Sequence, residues 1–152
     1  MIPTVREIKD NFKKQITICA LSITKGVLFI MEIVDRKFYE GFEGEPEIHF
    51  IFKTQERVKR LIIWDGYFNS IMYQIKPVKG RWTSLAYYYH LDIGWCDKDG
   101  PWKVEKPEEA LDQFKTVDKT SLYPKTGEVL DEICHLFTKG MKNNAEIFIE
   151  ED

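Results

Sequence analysis

Val58 to Lys76 reads VKRLIIWDGYFNSIMYQIK, and the fold turns on its centre. Asp65-Gly66 sits between Trp64 and Tyr67. Asp-Gly is favoured in two-residue hairpin turns, because both central positions must accept positive φ. VKRLIIW then reads as one strand and YFNSIMYQIK as the strand that returns beside it. Upstream, EIHFIFKT places Ile48, Phe50 and Phe52 on one side and Glu47, His49, Ile51 and Lys53 on the other, which is strand alternation. Gln55-Glu56-Arg57 joins it to VKRLIIW as a turn. Downstream, Pro77–Gly80 is a further turn, and Trp82 to Asp92 is a fourth strand. The expectation is an antiparallel β-meander of about four to five strands.

Helices are expected on both sides of this meander. Val5, Ile8, Phe12 and Ile16 follow Pro3 at spacings of three and four, which predicts a helix from Pro3 to about Gln15. Cys19 and Ile23 continue the stripe toward Gly26. Ile30, Val34 and Phe38 repeat at four and favour a second helix, Leu28 to Tyr39. The β-branched residues of that region leave an alternative, a hairpin of Ile16–Ile23 and Val27–Val34 across Thr-Lys-Gly. Pro107 opens a short helix, PEEALDQF, with Leu111, Phe114 and Val117 on its buried side. A last helix runs from Glu128 to Lys139 behind Pro124 and Thr126, with Leu130, Ile133, Cys134, Phe137 and Met141 as its stripe and Gly140 as its cap. AEIFIEED closes the chain as an edge strand. The fold class is α+β, residues 1–152 forming one domain, with N-terminal and C-terminal helices packed on the sheet.

Bulk properties narrow the function. The chain has 152 residues, enough for one core, and its aromatic content of 14% supplies large buried area per residue. A net charge of −3 argues against a general nucleic-acid binder. Three cysteines make an odd, sparse set, so a disulfide framework is not expected and the cytoplasm is the expected compartment. The N-terminal segment has no signal-peptide pattern, and Lys25 and Glu32 interrupt the most apolar run, so no membrane span is expected.

RWTSLAYYYHLDIGW, Arg81 to Trp95, concentrates aromatic rings. As a strand it divides into a core face of Leu85, Tyr87, Tyr89 and Leu91 and an outer face of Trp82, Ser84, Ala86, Tyr88, His90 and Asp92. The outer face is a candidate recognition surface. It lacks the glycine-and-basic pattern of RNA-reading sheets. His90 and Asp92 share it, and an imidazole oriented by a carboxylate is a usable base. The other histidines, His49 and His135, are expected to face solvent. Cys134 reads as a buried thiol and Cys96 as a thiol at a strand-to-loop junction. No cysteine or histidine spacing suits a metal, DKDG lacks the rest of a calcium loop, and no nucleotide-binding motif is present, so no cofactor is expected. Glu40, Glu43, Glu45 and Glu47 crowd one loop, and Glu146, Glu150, Glu151 and Asp152 crowd the tail.

In size, acidity, aromatic richness and lack of a catalytic signature, the chain resembles bacterial immunity proteins. These are small cytoplasmic inhibitors that neutralise a cognate polymorphic or contact-dependent toxin. The resemblance is one of overall character and carries no residue across. It implies a protein partner, a toxin domain bound one to one, and no catalysis. Trp64, Tyr67, Trp82, Tyr88 and His90 would then be contact residues, with Glu43, Glu45 and Glu47 steering a basic partner. The rival readings are a small-ligand binder or enzyme with a pocket near His90 and Asp92, and a phage or mobile-element regulatory protein.

Overall fold

The computed structural model describes residues 14–23, 26–91 and 100–152, with side chains from residue 30 onward. Six strands form one mixed sheet: β1 (Lys14–Ile23), β2 (Gly26–Phe38), β3 (Glu47–Lys53), β4 (Arg57–Trp64), β5 (Trp102–Lys103) and β6 (Glu146–Glu151). Their order is β1-β2-β4-β3-β6-β5. The described helices are α1 (Asp65–Gln74), α2 (Ser84–His90), α3 (Pro107–Lys115) and α4 (Pro124–Lys142). The α+β class is as expected. The sheet is not purely antiparallel, because β4 lies parallel to β2 and inserts between it and β3.

The hairpin alternative holds for the N-terminal region. Ile16 pairs with Ile33 and Ser22 with Val27 in an antiparallel ladder. The helix expected over Leu28 to Tyr39 is therefore a strand, and the N-terminal helix does not continue to Ile23. Its residues 3–13 lie outside the described residues, while Lys14 and Gln15 open β1. The spacing of Ile30, Val34 and Phe38 explains the misreading. Four is an even number, so it satisfies strand alternation as well as a helical turn, and β-branched stiffness then decides for the strand. A register irregularity between Asp35 and Phe38 puts both on the core face, opposite Leu61 and Ile63.

The largest correction falls on the opening stretch. Asp65-Gly66 does not turn a hairpin; it starts α1. Phe68, Ile71, Met72 and Ile75 are all buried, at spacings of zero, three, four and seven. A strand would send half of them to each face, whereas a helix buries all four on one side. Asp65 suits the first turn, and the Ser70 hydroxyl donates to the Gly66 carbonyl at 2.8 Å.

The fourth expected strand is also a helix, α2. Leu85 and Ala86 are buried, but Tyr87 and Leu91 are 38% and 46% exposed, so the two-face division of this stretch does not hold. Gln113 of α3 secures the start of α2: its Oε1 accepts from the Ala86 N–H at 3.1 Å, and its Nε2 donates to the Thr83 carbonyl at 2.6 Å.

The C-terminal half follows its pattern closely. α3 buries Leu111 and Phe114, and α4 buries Leu130, Ile133 and Phe137. α4 runs past Gly140, and Asn143 takes its C-cap. β6 is not the edge, since β5 pairs on its outer side. Helices cover one sheet face. Phe50 lies at the centre, edge-on to Phe68, Phe114 and Phe137 at 5.8, 6.4 and 6.1 Å. Among the described residues, no helix is long and apolar enough to cross a membrane.

Candidate functional site

Sheet pairing brings the two acidic segments to one end of the molecule. β3 and β6 are antiparallel, with Ile48 opposite Glu151. The Glu47 N–H donates to the Asp152 carbonyl at 2.8 Å, and the Asp152 N–H donates back at 3.0 Å. The loop before β3 is folded by its own side chains. The Tyr39 hydroxyl donates to the Glu45 carbonyl at 2.7 Å and accepts from the Gly44 N–H at 3.2 Å. Gly41 and Gly44 occupy the left-handed region, with φ of 92° and 93°, where a side chain would be strained. Glu43 accepts from the Gly41 N–H, which holds its carboxyl below the ordinary value. Glu43, Glu45, Glu151 and Asp152 are exposed.

An aromatic cluster sits within this acidic end. Phe42 stacks on Trp64 with centroids 4.2 Å apart and planes at 4°. Tyr67 meets both rings edge-on, at 5.5 Å and 5.3 Å. All three are half-buried. The Asp65 N–H donates to the Pro46 carbonyl at 3.1 Å and ties the start of α1 to the loop. The Trp64 ring also lies over Gly66, where a Cβ would collide with it. Its indole Nε1–H is shielded and has no acceptor among the described residues.

A relay of charged groups lies on the sheet face away from the helices. His49 is only 6% exposed, contrary to the expectation of a solvent-facing ring. Its Nδ1 is 2.8 Å from Arg60 Nη1, and its Nε2 is 2.6 Å from Glu47 Oε2. A guanidinium only donates, so Nδ1 accepts and Nε2 carries the hydrogen given to Glu47. Arg60 also reaches Glu150 at 3.1 Å and Glu32 at 3.4 Å. Burial raises the Glu47 pKa, but hydrogen bonds from His49 and Arg36 outweigh it and leave the carboxyl below its ordinary value. Glu47, His49 and Asp152 each bring a ligand atom within 4.8 Å of the others. The donor set fits a cation poorly, because Arg60 occupies the Nδ1 lone pair and so commits Nε2 to a proton.

The remaining sequence candidates lie elsewhere. Trp82 and His90 stack at 3.8 Å, and Tyr88 lies 4.8 Å from Trp102. They belong to α2 and the segment before it, not to a sheet face. Trp82, Tyr88 and Trp102 line a cavity of about 360 Å³. His90 backs its Trp82 wall and is not itself a lining residue. Its partner in the proposed base, Asp92, lies outside the described residues, as do Cys96 and most of DKDG. Cys134 is half-buried, and burial raises its thiol pKa. His135 is exposed, as expected.

Of the sequence candidates, the structure thus gathers Glu43, Glu45, Glu47, Trp64 and Tyr67, and leaves Trp82, Tyr88 and His90 in a second cluster. Two members of the acidic end were missed. Phe42 was legible as a lone aromatic ring among glutamates. Arg60 carried no signal in a strand that also contains Lys59. Comparison with protein-family models, curated proteins and solved structures returned no match.

Proposed function

We propose that this chain is a protein-binding module whose acidic end is the contact surface, acting as an immunity-type inhibitor of a basic toxin domain. One observation carries the reading: the Phe42–Trp64–Tyr67 cluster lies at the same end of the sheet as Glu43, Glu45, Glu47, Glu151 and Asp152, with Trp64 paired to Glu47 and Glu47 bonded to Asp152. Tryptophan and tyrosine held in a packed cluster are the usual anchors of protein interfaces. A single-sign rim speeds encounter with a partner of opposite charge and orients it. The rings are held by each other and by Gly66, so little side-chain freedom is lost on binding.

The partner to test is the C-terminal domain of the protein encoded beside this one. Binding is measured by calorimetry and by inhibition of that domain's activity. Trp64→Ala should weaken the complex by about thirtyfold, equivalent to the ~2 kcal/mol of a hot-spot truncation. Replacing Glu43 and Glu45 with lysine should slow association and reduce its salt dependence. No association at micromolar concentration, or an undiminished affinity in Trp64→Ala, would refute the proposal.

A further inference from the structure

A cavity of about 600 Å³ lies at the far end of β3 from the acidic surface. It opens between the β3–β4 turn and the C-terminal turn of α4. That volume is in the range of small-ligand sites. Its floor is a row across three neighbouring strands, because Lys59 pairs with Ile33 on one side and with Phe52 on the other. An aliphatic and an aromatic side chain therefore flank a lysine on one face. Gly140 of α4 completes the floor, since a Cβ there would lie 2.9 Å from the Phe52 ring. A larger residue would hold the helix away.

The charge of this cleft is opposite to that of the chain. Among the described residues its charged lining is Arg57, Lys59 and Lys139 against one carboxylate, Glu56, in a protein of net charge −3. Asn143 and Asn144 add amide donors at the rim. The end of α4 would ordinarily favour cations. Here the carbonyls of Lys139, Gly140 and Met141 already accept from the N–H groups of Asn143, Ala145 and Asn144. The three cationic side chains therefore set the sign of the cleft.

We infer that this cleft binds a small amphipathic anion, its apolar body on Phe52 and Ile33 and its acidic head among Arg57, Lys59 and Lys139. The head is a carboxylate or a phosphate, and the body is a short aliphatic chain or a ring. This site is separate from the acidic end, so the outcome below is independent of any toxin.

The test follows amide NMR signals of the full chain during titration with octanoate, octyl phosphate, 1-octanol and inorganic phosphate. Octanoate or octyl phosphate should shift residues 54–59 and 139–145, and the tighter of the two identifies the head group. Octanol and inorganic phosphate each supply half of the recognition and should bind at least about tenfold more weakly. Replacing Arg57 and Lys139 together with glutamate should weaken the preferred amphiphile by at least about tenfold; both positions are exposed, so folding is retained. Lys139→Ala alone provides a milder check. The inference fails if neither amphiphile saturates by about 1 mM, if octanol binds as well as the anions, or if the charge-reversed variant binds undiminished.

Discussion

The two ends of β3 differ in almost every respect. Glu47 opens the strand in an acidic surface, and Lys53 closes it beside a basic cleft. The strand is seven residues long including both, so they lie about 20 Å apart at the usual rise. The acidic end presents stacked rings and is assembled from a loop, the start of α1 and the end of β6. The basic end is concave and is assembled from a tight turn and the last turn of α4. A half-buried ring cluster with a charged rim suits a macromolecular partner, whereas a cleft with an apolar floor suits a small one. One strand thus carries two chemically opposite surfaces over a shared core.

The strongest way to break this comparison is through that core. Phe50→Ala removes the ring that α1, α3 and α4 all contact, and should cost about 3–5 kcal/mol. Denaturant unfolding should show both ends lost in one transition; separate transitions would mean that they do not share a core.

Arg60→Ala should affect the acidic end alone. It leaves His49 Nδ1 without a donor and Glu150 without its cation, a loss of about 1–3 kcal/mol. Amide exchange should accelerate at residues 47–50 and 148–152 beyond any change at 139–145. A uniform acceleration would instead point to a global loss of stability.

Gly66→Ala separates binding from folding. Alanine is the better helix former by about 1 kcal/mol, but its Cβ displaces the Trp64 ring and sacrifices a stack worth about 0.5–1.5 kcal/mol. Net stability should change by less than about 1 kcal/mol. Near-ultraviolet circular dichroism should lose the Phe42–Trp64 signal, and partner affinity should fall with it. An unchanged spectrum would show that the ring has room to stay.

The smallest effect is on pH dependence. The folded Glu47 carboxyl titrates below its ordinary value, so the folded state favours its ionised form. Its contribution is complete above the unfolded value of about 4.3 and is lost as pH falls through the lower folded value. Glu47→Gln should flatten the acid limb of the stability curve, measured by unfolding from pH 6 to about 3. An unaltered limb would show that another carboxylate governs it.

Much of this architecture was legible wherever only one period fitted the residues. EIHFIFKT alternates over its whole length and is β3. PEEALDQF combines an N-terminal proline, early acids and a helical stripe, and is α3. YFNSIMYQIK was misread, because Asp-Gly serves a turn or a helix start equally well, and the helical spacing of Phe68, Ile71, Met72 and Ile75 shows only when all four are required on one face. The acidic end was half legible. Its residue types and the ring pair Trp64 and Tyr67 stood out, but nothing local joined the loop at 40–47 to the tail at 146–152. His49 was misplaced for the same reason: alternation specifies a face of the sheet, not whether that face is covered.

By itself, the sequence determined which segments were able to form strands or helices, how much apolar surface required burial, and the opposite charges of Glu43–Glu47 and Arg57–Lys59. These are properties of neighbours along the chain. Only the tertiary structure decided that β4 inserts between β2 and β3, that Asp65-Gly66 begins a helix, and that two distant acidic segments meet around Phe42 and Trp64. Each of those outcomes depends on burying Phe68, Ile71 and Met72 with Phe50 and Phe137 in one core, a free energy that no single segment holds.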